Sequence, residues 1–287
     1  MTRGWIGIPL QLARRHVAWA GAEFDPIGEA SGLESEFVRY LALVLPVFGC
    51  GFRSPVGAVS DAPSDAPSAL FCAADPRLRL CYSFDQESLP AALPDEGAAV
   101  VDAQLTNITR IARGSGGAAL LNTTSSIFVP MTSEVTNIQA LEIWYRADAD
   151  PPNNGGRSGL VDSNVSPPNI SLFFYRQDPG HQLRCGLGAA VTVWDAPLTV
   201  GSWIYLACVC EANSLKMYVD GVKIGETPGP CASGGAFVGD GFTIGSNNNG
   251  GPSVFDDRLM GAIDGVRLWD VPLTSTMICQ TAGNPSC

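Results

Sequence analysis

The sequence is poor in charged residues, in histidine and in long apolar runs, and each shortage disfavours a class of protein. Only 16% of its 287 residues are charged, while Gly (32) and Pro (21) are plentiful. This composition favours short strands joined by turns over long surface helices. The apolar run at residues 40–50 is far shorter than the ~20 residues that a membrane-spanning helix requires. A zinc site is also disfavoured, because there are two histidines, His16 and His181, and no C-x2-C pair.

Positive charge is scarce as well. From residue 51 onward the chain has 13 Lys and Arg against 23 Asp and Glu, a net charge near −10. A surface of that sign repels polyanions. Nucleic acid is therefore excluded as the expected partner.

The apolar run at residues 40–50, YLALVLPVFGC, ends in Val47-Phe48-Gly49-Cys50. This tetrapeptide resembles the bacterial lipobox, in which a small residue precedes a cysteine that is lipidated and becomes the new N-terminus. The resemblance implies that Cys50 is lipidated. It also implies an exported protein, lipid-anchored in the bacterial cell envelope at the periplasmic face or the outer surface, that meets the membrane only through this anchor. The alternative is an ordinary signal peptide with an incidental cysteine.

The first 36 residues place acidic side chains where the basic region of a signal peptide belongs. One hypothesis is that translation starts at Val38, so that residues 38–49 are the real signal within a leader spanning residues 1–49. The alternative is a genuine long leader with an internal signal anchor. Residues 50–70 are rich in Pro, Ser, Ala and Asp without apolar periodicity, which predicts an extended tether. The folded domain is expected at residues 71–287.

The nine cysteines agree with export. Without Cys50 eight remain, an even number that fits four disulfides in an oxidising compartment. Cys208 and Cys210 stand two apart on a predicted strand, so both point to the same face and cannot bond each other. The favoured pairings are Cys72 with Cys81, Cys185 with Cys208, Cys210 with Cys231, and Cys279 with Cys287.

The body of the chain is a succession of short apolar runs separated by turn residues, which predicts an antiparallel sandwich or barrel. Asp220-Gly221 is typical of a type I′ hairpin turn. Both faces of the run at residues 203–210 are apolar, which predicts a central strand covered on both sides. The best helical segment is LTSTMICQTAG near the end. The predicted strands are 78–84, 118–121, 127–129, 140–146, 170–176, 182–186, 203–210, 215–219, 222–226, 242–245 and 259–269.

Five segments in order resemble the laminin G-like (LamG-like), or concanavalin A-like, jelly roll. They are CYSFD, GGAALLNTTSSIFVP, IQALEIWYRAD, LTVGSWIYLACVCEANSLKMYVDGVKIGE and FTIGSNNNGGPSVFDDRLMGAIDGVRLWDVPLT. The resemblance covers about residues 72–279 and implies an all-β fold, an antiparallel two-sheet β-sandwich. Two positions depart from the family pattern: Tyr205 stands where His is usual, and Cys210 where an aromatic residue is common.

Glycoside hydrolases share this fold, and the retaining ones often have Glu-x-Asp-x-x-Glu on one strand. Glu142 begins the one similar strand, but Trp144 and Ala147 occupy the two other acidic positions. The pairs Asp256-Asp257 and Asp148 with Asp150 lie in polar segments typical of solvated turns. His181 is expected in an exposed loop, and no nucleophile elbow occurs. The sequence therefore indicates a non-catalytic protein.

The resemblance also implies a structural calcium ion, with one site joining the end of the first strand to the late Ile-Asp strand. These positions correspond to Asp85 and Asp264, and calcium takes carboxylate and carbonyl oxygens from such loops. The alternative is that Asp264 orders a turn or pairs with an arginine such as Arg267.

The function that these observations favour is a secreted or surface-anchored binding or adhesion module for a carbohydrate or protein ligand, with a glycan or surface protein as partner. The alternative is an atypical glycoside hydrolase or lyase on the same fold. Trp194, Trp269 and Tyr175 are expected in the core, so the sequence names no ligand-binding residue. The Gly/Asn-rich stretch 246–253 is interpreted as a loop near a ligand or as a flexible turn.

Overall fold

The structure is a computed structural model. It describes residues 71–72, 74–130, 132, 135, 137–152, 155–163, 169–176, 180–196, 199–231, 241–248 and 255–287. The predicted leader, the lipidation site at Cys50 and the tether lie outside these residues and stay predictions. No helix among the described residues has the length and apolar character needed to cross a membrane.

Within the described residues the chain forms eighteen strands and one short helix. Every predicted strand overlaps an observed one, and the predicted C-terminal helix is present. Seven observed strands were not among the predicted runs: Ala92–Leu93, Ala103–Thr106, Thr109–Arg113, Arg157–Asp162, Ala190–Ala196, Asn247–Asn248 and Phe255–Asp256. The elements are β1 (Leu78–Tyr82), β2 (Ala92–Leu93), β3 (Ala103–Thr106), β4 (Thr109–Arg113), β5 (Gly116–Leu121), β6 (Ser126–Pro130), β7 (Ala140–Ala147), β8 (Arg157–Asp162), β9 (Asn169–Arg176), β10 (His181–Gly188), β11 (Ala190–Ala196), β12 (Trp203–Glu211), β13 (Ser214–Val219), β14 (Val222–Pro228), β15 (Gly241–Ile244), β16 (Asn247–Asn248), β17 (Phe255–Asp256), β18 (Gly261–Trp269) and α1 (Ser275–Thr281).

The strands form two large antiparallel sheets. The first sheet has the order β14-β13-β12-β7-β18-β5-β4, and β1 also pairs with β18. The second sheet has the order β11-β10-β9-β8-β15-β6-β3-β2, and β16 and β17 form a separate ribbon. Alternate residues of the two sheets face each other in one hydrophobic core. Tyr145 of β7 and Phe174 of β9 meet there with ring centroids 6.2 Å apart. The predicted all-β sandwich is confirmed.

The hairpin around Asp220-Gly221 forms as predicted. Asp220 and Gly221 have φ angles of +47° and +81°, the left-handed values that a type I′ turn requires. The Asp220 carboxylate also accepts a hydrogen bond of 2.9 Å from the backbone N–H of Tyr205, which ties the turn to β12. β12 itself lies between β7 and β13 and is buried on both faces, which confirms its prediction as a central strand.

A second, smaller cluster covers the outer face of the first sheet. Helix α1 begins after Thr274, whose hydroxyl caps it by accepting a 3.2 Å hydrogen bond from the Met277 N–H. Ile278 of this helix is buried in the cluster with Tyr205 and Trp269. The outer face of the first sheet is therefore partly a protein core rather than an open surface.

Four disulfides join the described cysteines, in the pairings that the sequence favoured. They are Cys72–Cys81, Cys185–Cys208, Cys210–Cys231 and Cys279–Cys287. The bond between Cys185 in β10 and Cys208 in β12 links the second sheet to the first. Cys72–Cys81 and Cys210–Cys231 join residues outside the sheets to β1 and β12, and Cys279–Cys287 joins α1 to the last residue.

Candidate functional site

Asp85 and Asp264, the predicted calcium ligands, lie near enough for the charge of Asp85 to act on Asp264. Asp264 stands in β18 opposite Trp144 of β7, just before an irregularity in the strand pairing. Its carboxylate accepts a hydrogen bond from Nη1 of Arg113 in β4, and the two groups form a largely buried ion pair. Oδ1 of Asp85 accepts a 2.9 Å hydrogen bond from the backbone N–H of Gly117. Each carboxylate thus already has a partner within the protein.

Arg113 contacts two tryptophans as well as Asp264. Its guanidinium carbon lies 4.4 Å from the ring of Trp144 and 4.4 Å from the ring of Trp203. Burial raises the pKa of Asp264 to about 6, although the charge and hydrogen bond of Arg113 act in the opposite direction. The charge of Asp85 adds a smaller increase. The group is therefore a buried acid whose ion pair only partly compensates its loss of solvent.

This arrangement does not fit a calcium site. Calcium takes six to eight oxygen ligands, whereas the Asp264 carboxylate is paired with a positively charged arginine. Within the part of the chain that the structure describes, no group of three or more His, Cys, Asp or Glu side chains is placed to hold a metal. Calcium at Asp85 and Asp264 stays a prediction, and the position of Arg113 is an argument against it. The sequence named Arg267 as the possible arginine partner of Asp264, and the structure has Arg113 instead.

Arg267 pairs with Glu142, the one strand acid that resembled a glycosidase position. Nη2 of Arg267 and Nε1 of Trp269 each lie 2.8 Å from Oε2 of Glu142. The hydroxyl of Tyr205 donates to Oε1. Burial, and then the charge of Glu142, raise the pKa of Tyr205 well above its usual value, so this hydroxyl remains a donor. Glu142 is 1% exposed and cannot reach a substrate in this position.

The same arginine holds both ends of the domain on the first sheet. Nη1 of Arg267 donates a 3.0 Å hydrogen bond to the carbonyl of Phe71, and Nη2 donates a 3.2 Å bond to the hydroxyl of Thr281. Its guanidinium also lies 4.1 Å from the ring of Phe71. The Glu142–Arg267 network is therefore structural.

The other acids and the histidine named from the sequence have separate partners. Asp257 pairs with Arg157, and Asp256 accepts from the amide of Asn247. Asp148 pairs with Arg146. Asp150 accepts a 2.6 Å hydrogen bond from Nε2 of His181, which begins β10 and stacks on Phe174. The prediction of an exposed loop for His181 is wrong, because Phe174 and Asp150 hold its ring against the sheet.

The aromatic residues named from the sequence divide into core and surface positions. Trp269 is buried, and Trp194 packs against the core between the sheets. Tyr175 is half-buried and lies on the outside of the second sheet, so its expected place in the core is wrong. Ser246, Asn247 and Asn248 of the Gly/Asn-rich stretch are buried, and two of them form β16. Residues 249–253 of that stretch lie outside the described residues.

A group of polar and aromatic side chains shares the outer face of β8, β9, β10 and β11. Leu183 and Phe174 point into the core, so the residues that alternate with them point outward. The strand register places these outward residues side by side on what is here named the second-sheet face. It comprises Arg157, Ser171, Phe173, Tyr175, Gln182, Arg184, Val193 and Asp195.

The centre of the second-sheet face is the hydroxyl of Tyr175. Nη1 of Arg184 donates to it over 3.4 Å. Burial lowers the pKa of Arg157, but hydrogen bonds to Asp257 and to the Tyr175 hydroxyl outweigh burial and raise it. The guanidinium of Arg157 also lies 4.8 Å from the ring of Phe173, whose centroid is 6.1 Å from that of Tyr175. Two guanidinium groups therefore flank one aromatic hydroxyl.

The edge of the face toward β11 has hydrogen-bonding and apolar groups. Nε2 of Gln182 donates a 2.8 Å bond to Oδ1 of Asp195, directly across the strand pair. Val193, opposite Arg184, is 46% exposed. Arg184 has no carboxylate partner among the described residues. The sequence analysis placed Gln182 and Arg184 in a predicted strand, but only the register shows that they meet Tyr175 and Asp195.

Comparison with known proteins agrees with this architecture. A family model described as the concanavalin A-like lectin/glucanases superfamily matches residues 117–279, more than half of the chain. The protein belongs to this family, as the laminin G-like resemblance implied. No curated protein matches the chain.

Several solved structures share the fold at low sequence identity. Domain 4 of AbnA, a GH43 extracellular arabinanase from Geobacillus stearothermophilus solved in complex with arabinotriose, has a TM-score of 0.52 and 22% identity over 72% of this chain and 98% of that domain. The receptor binding domain of botulinum neurotoxin C/D mosaic serotype has a TM-score of 0.52 and 10% identity over 73% of this chain and 51% of that one. The binding domain of Paraclostridial Mosquitocidal Protein 1 gives 0.50 and 12%, over 72% of this chain and 52% of that one. The chain thus spans about half the length of these toxin domains, and at such identities the likeness shows the fold alone.

Proposed function

We propose that residues 71–287 form an exported, non-catalytic module that binds a carbohydrate through the second-sheet face. The observation that carries the proposal is the grouping of Tyr175, Arg184, Gln182 and Asp195 on one outer surface. An aromatic ring beside a few convergent hydrogen-bonding groups is the usual make-up of a small-ligand site. The solved domain of the arabinanase with arabinotriose supports a saccharide ligand for this fold.

Export and anchoring form the second part of the proposal. Four disulfides fit folding in an oxidising compartment. Lipidation of Cys50, with residues 50–70 as a tether, would hold the module at the bacterial cell envelope, where it meets a glycan or a glycan-bearing surface protein. The measurement is lipid labelling in cells: the protein should incorporate labelled fatty acid, and a Cys50→Ser variant should not. Equal labelling of both would contradict the anchor.

A glycoside hydrolase or lyase is the second candidate. One observation favours it: Asp264 has a pKa of about 6 and stands near a second carboxylate, Asp85, which is how paired acids divide the roles of acid and base. The ion pair with Arg113 opposes it, because the arginine already pairs with this carboxylate and lowers its pKa against the effect of burial. Binding without turnover is therefore the function that the geometry favours.

The test is oligosaccharide binding by the oxidised protein, with two matched variants. Val193→Asp places a charge on the second-sheet face, whereas Val222→Asp makes the same change at an exposed position, 55% accessible, at the start of β14 in the first sheet. A glycan array should show binding that Val193→Asp weakens at least tenfold and Val222→Asp leaves unchanged, without release of reducing ends. Equal effects of both variants would show that the ligand does not bind at the second-sheet face. Hydrolysis that Asp264→Asn abolishes would establish the enzyme instead.

A further inference from the structure

We infer that the saccharide bound by the second-sheet face carries one acidic group, a carboxylate such as that of a uronic acid, which Arg184 receives together with the hydroxyl of Tyr175. This inference rests on the proposed function and names the chemical class of its ligand. Its starting point is the bonding state of Arg184.

Arg184 differs from most arginines of the described chain. Six others have a carboxylate within ion-pair distance: Arg77, Arg79, Arg113, Arg146, Arg157 and Arg267. Arg184 is half-buried and donates one long hydrogen bond, 3.4 Å, to an uncharged hydroxyl. A guanidinium has five N–H donors in a planar fork that matches the two oxygens of a carboxylate. Most of the hydrogen-bonding capacity of Arg184 is therefore left for a ligand.

The neighbours of Arg184 also favour an acidic group. Arg157 lies near the same tyrosine hydroxyl, and its charge is balanced by Asp257. The charges of Arg184, Arg157, Asp257 and Asp195 sum to zero over the face, so an acidic group would be attracted by direct contact with Arg184 and not by a net charge of the face. Because Arg184 donates to the Tyr175 oxygen, the hydroxyl proton is free to donate to an incoming oxygen. A carboxylate between Arg184 and Tyr175 would receive donors from both.

The other end of the face suits the hydroxyl groups of a sugar. Asp195 accepts from Gln182, which leaves acceptor sites on the carboxylate and an acceptor oxygen on the amide. Gln182 stands opposite Asp195 and Tyr175 on neighbouring strands, so the two ends of the face are a few ångströms apart. One sugar unit with a carboxylate and adjacent hydroxyls would contact both ends. An acidic peptide would satisfy only the arginine end.

The overall charge of the chain decides between one acidic group and many. Residues from 51 onward have a net charge near −10, which repels an extended polyanion. Screening at physiological ionic strength limits such interactions to roughly 8 Å. A carboxylate in contact with Arg184 is therefore governed by the local positive charge, whereas a densely charged polymer would extend over the acidic surface. The expected ligand is a saccharide with an isolated acidic unit.

The experiment uses the oxidised protein and a panel of oligosaccharides with one uronic acid each, every member beside its carboxyl-reduced counterpart. A tri-glutamate peptide serves as the acidic probe without sugar. At least one acidic oligosaccharide should bind in calorimetry and lose at least tenfold affinity on reduction. Arg184→Gln should weaken binding by about 10- to 100-fold, the loss of a charge-assisted hydrogen bond. Tyr175→Phe should cause a smaller loss.

The control variant is Arg77→Gln, which removes the same charge from an exposed arginine already paired with Asp75. It should leave binding unchanged. As the NaCl concentration rises from 0.05 to 0.5 M, the affinity of the unaltered protein for the acidic oligosaccharide should decrease, and that of Arg184→Gln should not. Circular dichroism melting of each variant shows whether it is folded. The salt dependence of binding by the unaltered protein tests the role of charge without relying on any variant.

The outcomes separate this inference from the proposed function. Equal affinity for an acidic oligosaccharide and its reduced form, or full binding by folded Arg184→Gln, would overturn the acidic ligand and leave saccharide binding standing. Tighter binding of tri-glutamate than of any sugar would identify an acidic peptide site and overturn the inference. Binding of no oligosaccharide, acidic or neutral, would overturn the proposed function and the inference together.

Discussion

The outer faces of the two sheets differ in how their charged side chains are buried and paired. On the first sheet, Glu142 and Arg267 form a buried pair beneath Phe71 and the C-terminal helix, and Asp264 pairs with Arg113 between two tryptophans. On the second sheet, Arg184 is half-buried, and among the described residues its hydrogen-bond partner is a tyrosine hydroxyl. Paired and covered charges fix a structure, whereas a partly solvated cation without a counter-ion is available to a ligand. The comparison therefore associates the first sheet with stability and, under the proposed function, the second sheet with recognition.

The largest expected loss of stability comes from breaking the Glu142–Arg267 pair. Arg267→Met leaves the carboxylate of Glu142, 1% exposed, without its counter-ion, and breaking one side of a buried pair costs about 3–5 kcal/mol. Urea unfolding at pH 7 measures this loss. The double variant Glu142→Gln/Arg267→Met should recover much of the stability, because no uncompensated charge remains. If Arg267→Met unfolded at the same urea concentration as the unaltered protein, the first sheet would not depend on this pair.

The disulfide between the sheets should contribute the next largest effect. Cys185→Ala/Cys208→Ala opens a loop closed over a sequence separation of 23, and the chain-entropy cost of such a loop is about 3 kcal/mol. The matched variant is Cys279→Ala/Cys287→Ala, which opens a separation of 8 at the chain end and should lose less. Guanidinium unfolding of both variants gives the ranking. A larger loss for Cys279→Ala/Cys287→Ala would contradict the expectation that the bond between the two sheets contributes more to stability.

Asp264 should make the stability of the first sheet depend on pH. Its pKa is about 6 in the folded protein against an ordinary value of 3.8. The folded state therefore keeps this proton more firmly than the unfolded state, so the stabilisation is full below pH 4 and is lost as the pH rises through 6. Relative to Asp264→Asn, the unaltered protein should lose about 2–3 kcal/mol between pH 4 and pH 7.

The readout for Asp264 is the difference between two pH titrations of unfolding free energy. The pKa values of Asp95 and Asp220 are also raised by burial, and both residues are present in the two proteins, so their contributions cancel in the difference. A difference that stays constant from pH 4 to pH 7 would show that Asp264 is charged throughout, as a strong ion pair with Arg113 would require.

Much of the fold follows from local patterns in the sequence. Alternation placed Trp203 and Tyr205 on one face of β12 and Cys208 and Cys210 on the other, and the structure has them so. Because Cys208 and Cys210 share a face, their bonding to each other was excluded, which left Cys185 and Cys231 as their partners; which of the two bonds which cysteine did not follow from alternation. The Asp220-Gly221 turn was predictable because few other residue pairs accept its left-handed backbone.

The side-chain partners could not be predicted in the same way. Asp264 and its partner Arg113 are 151 residues apart in the chain, and they meet only because β4 and β18 flank β5 in the sheet order. Sequence proximity favoured Arg267, three residues from Asp264, but alternation around the irregularity at Gly265 directs Arg267 to Glu142. Tyr175 was expected in the core because aromatic residues usually are, and its outward position depends on the register of β9 against β10.

The smallest change in stability is expected for Arg184→Gln, and this variant gives the strictest test of the difference between the two outer faces. Arg184→Gln removes a positive charge as Arg267→Met does, but from a solvated position with one long hydrogen bond to an uncharged group. Surface substitutions of this kind change unfolding free energy by about 0.5 kcal/mol or less. Urea unfolding of Arg184→Gln should therefore coincide with that of the unaltered protein within this margin, while ligand binding is weakened. If Arg184→Gln destabilised the protein by several times that margin, Arg184 would be a structural residue like Arg267, and the two faces would not differ in the way described.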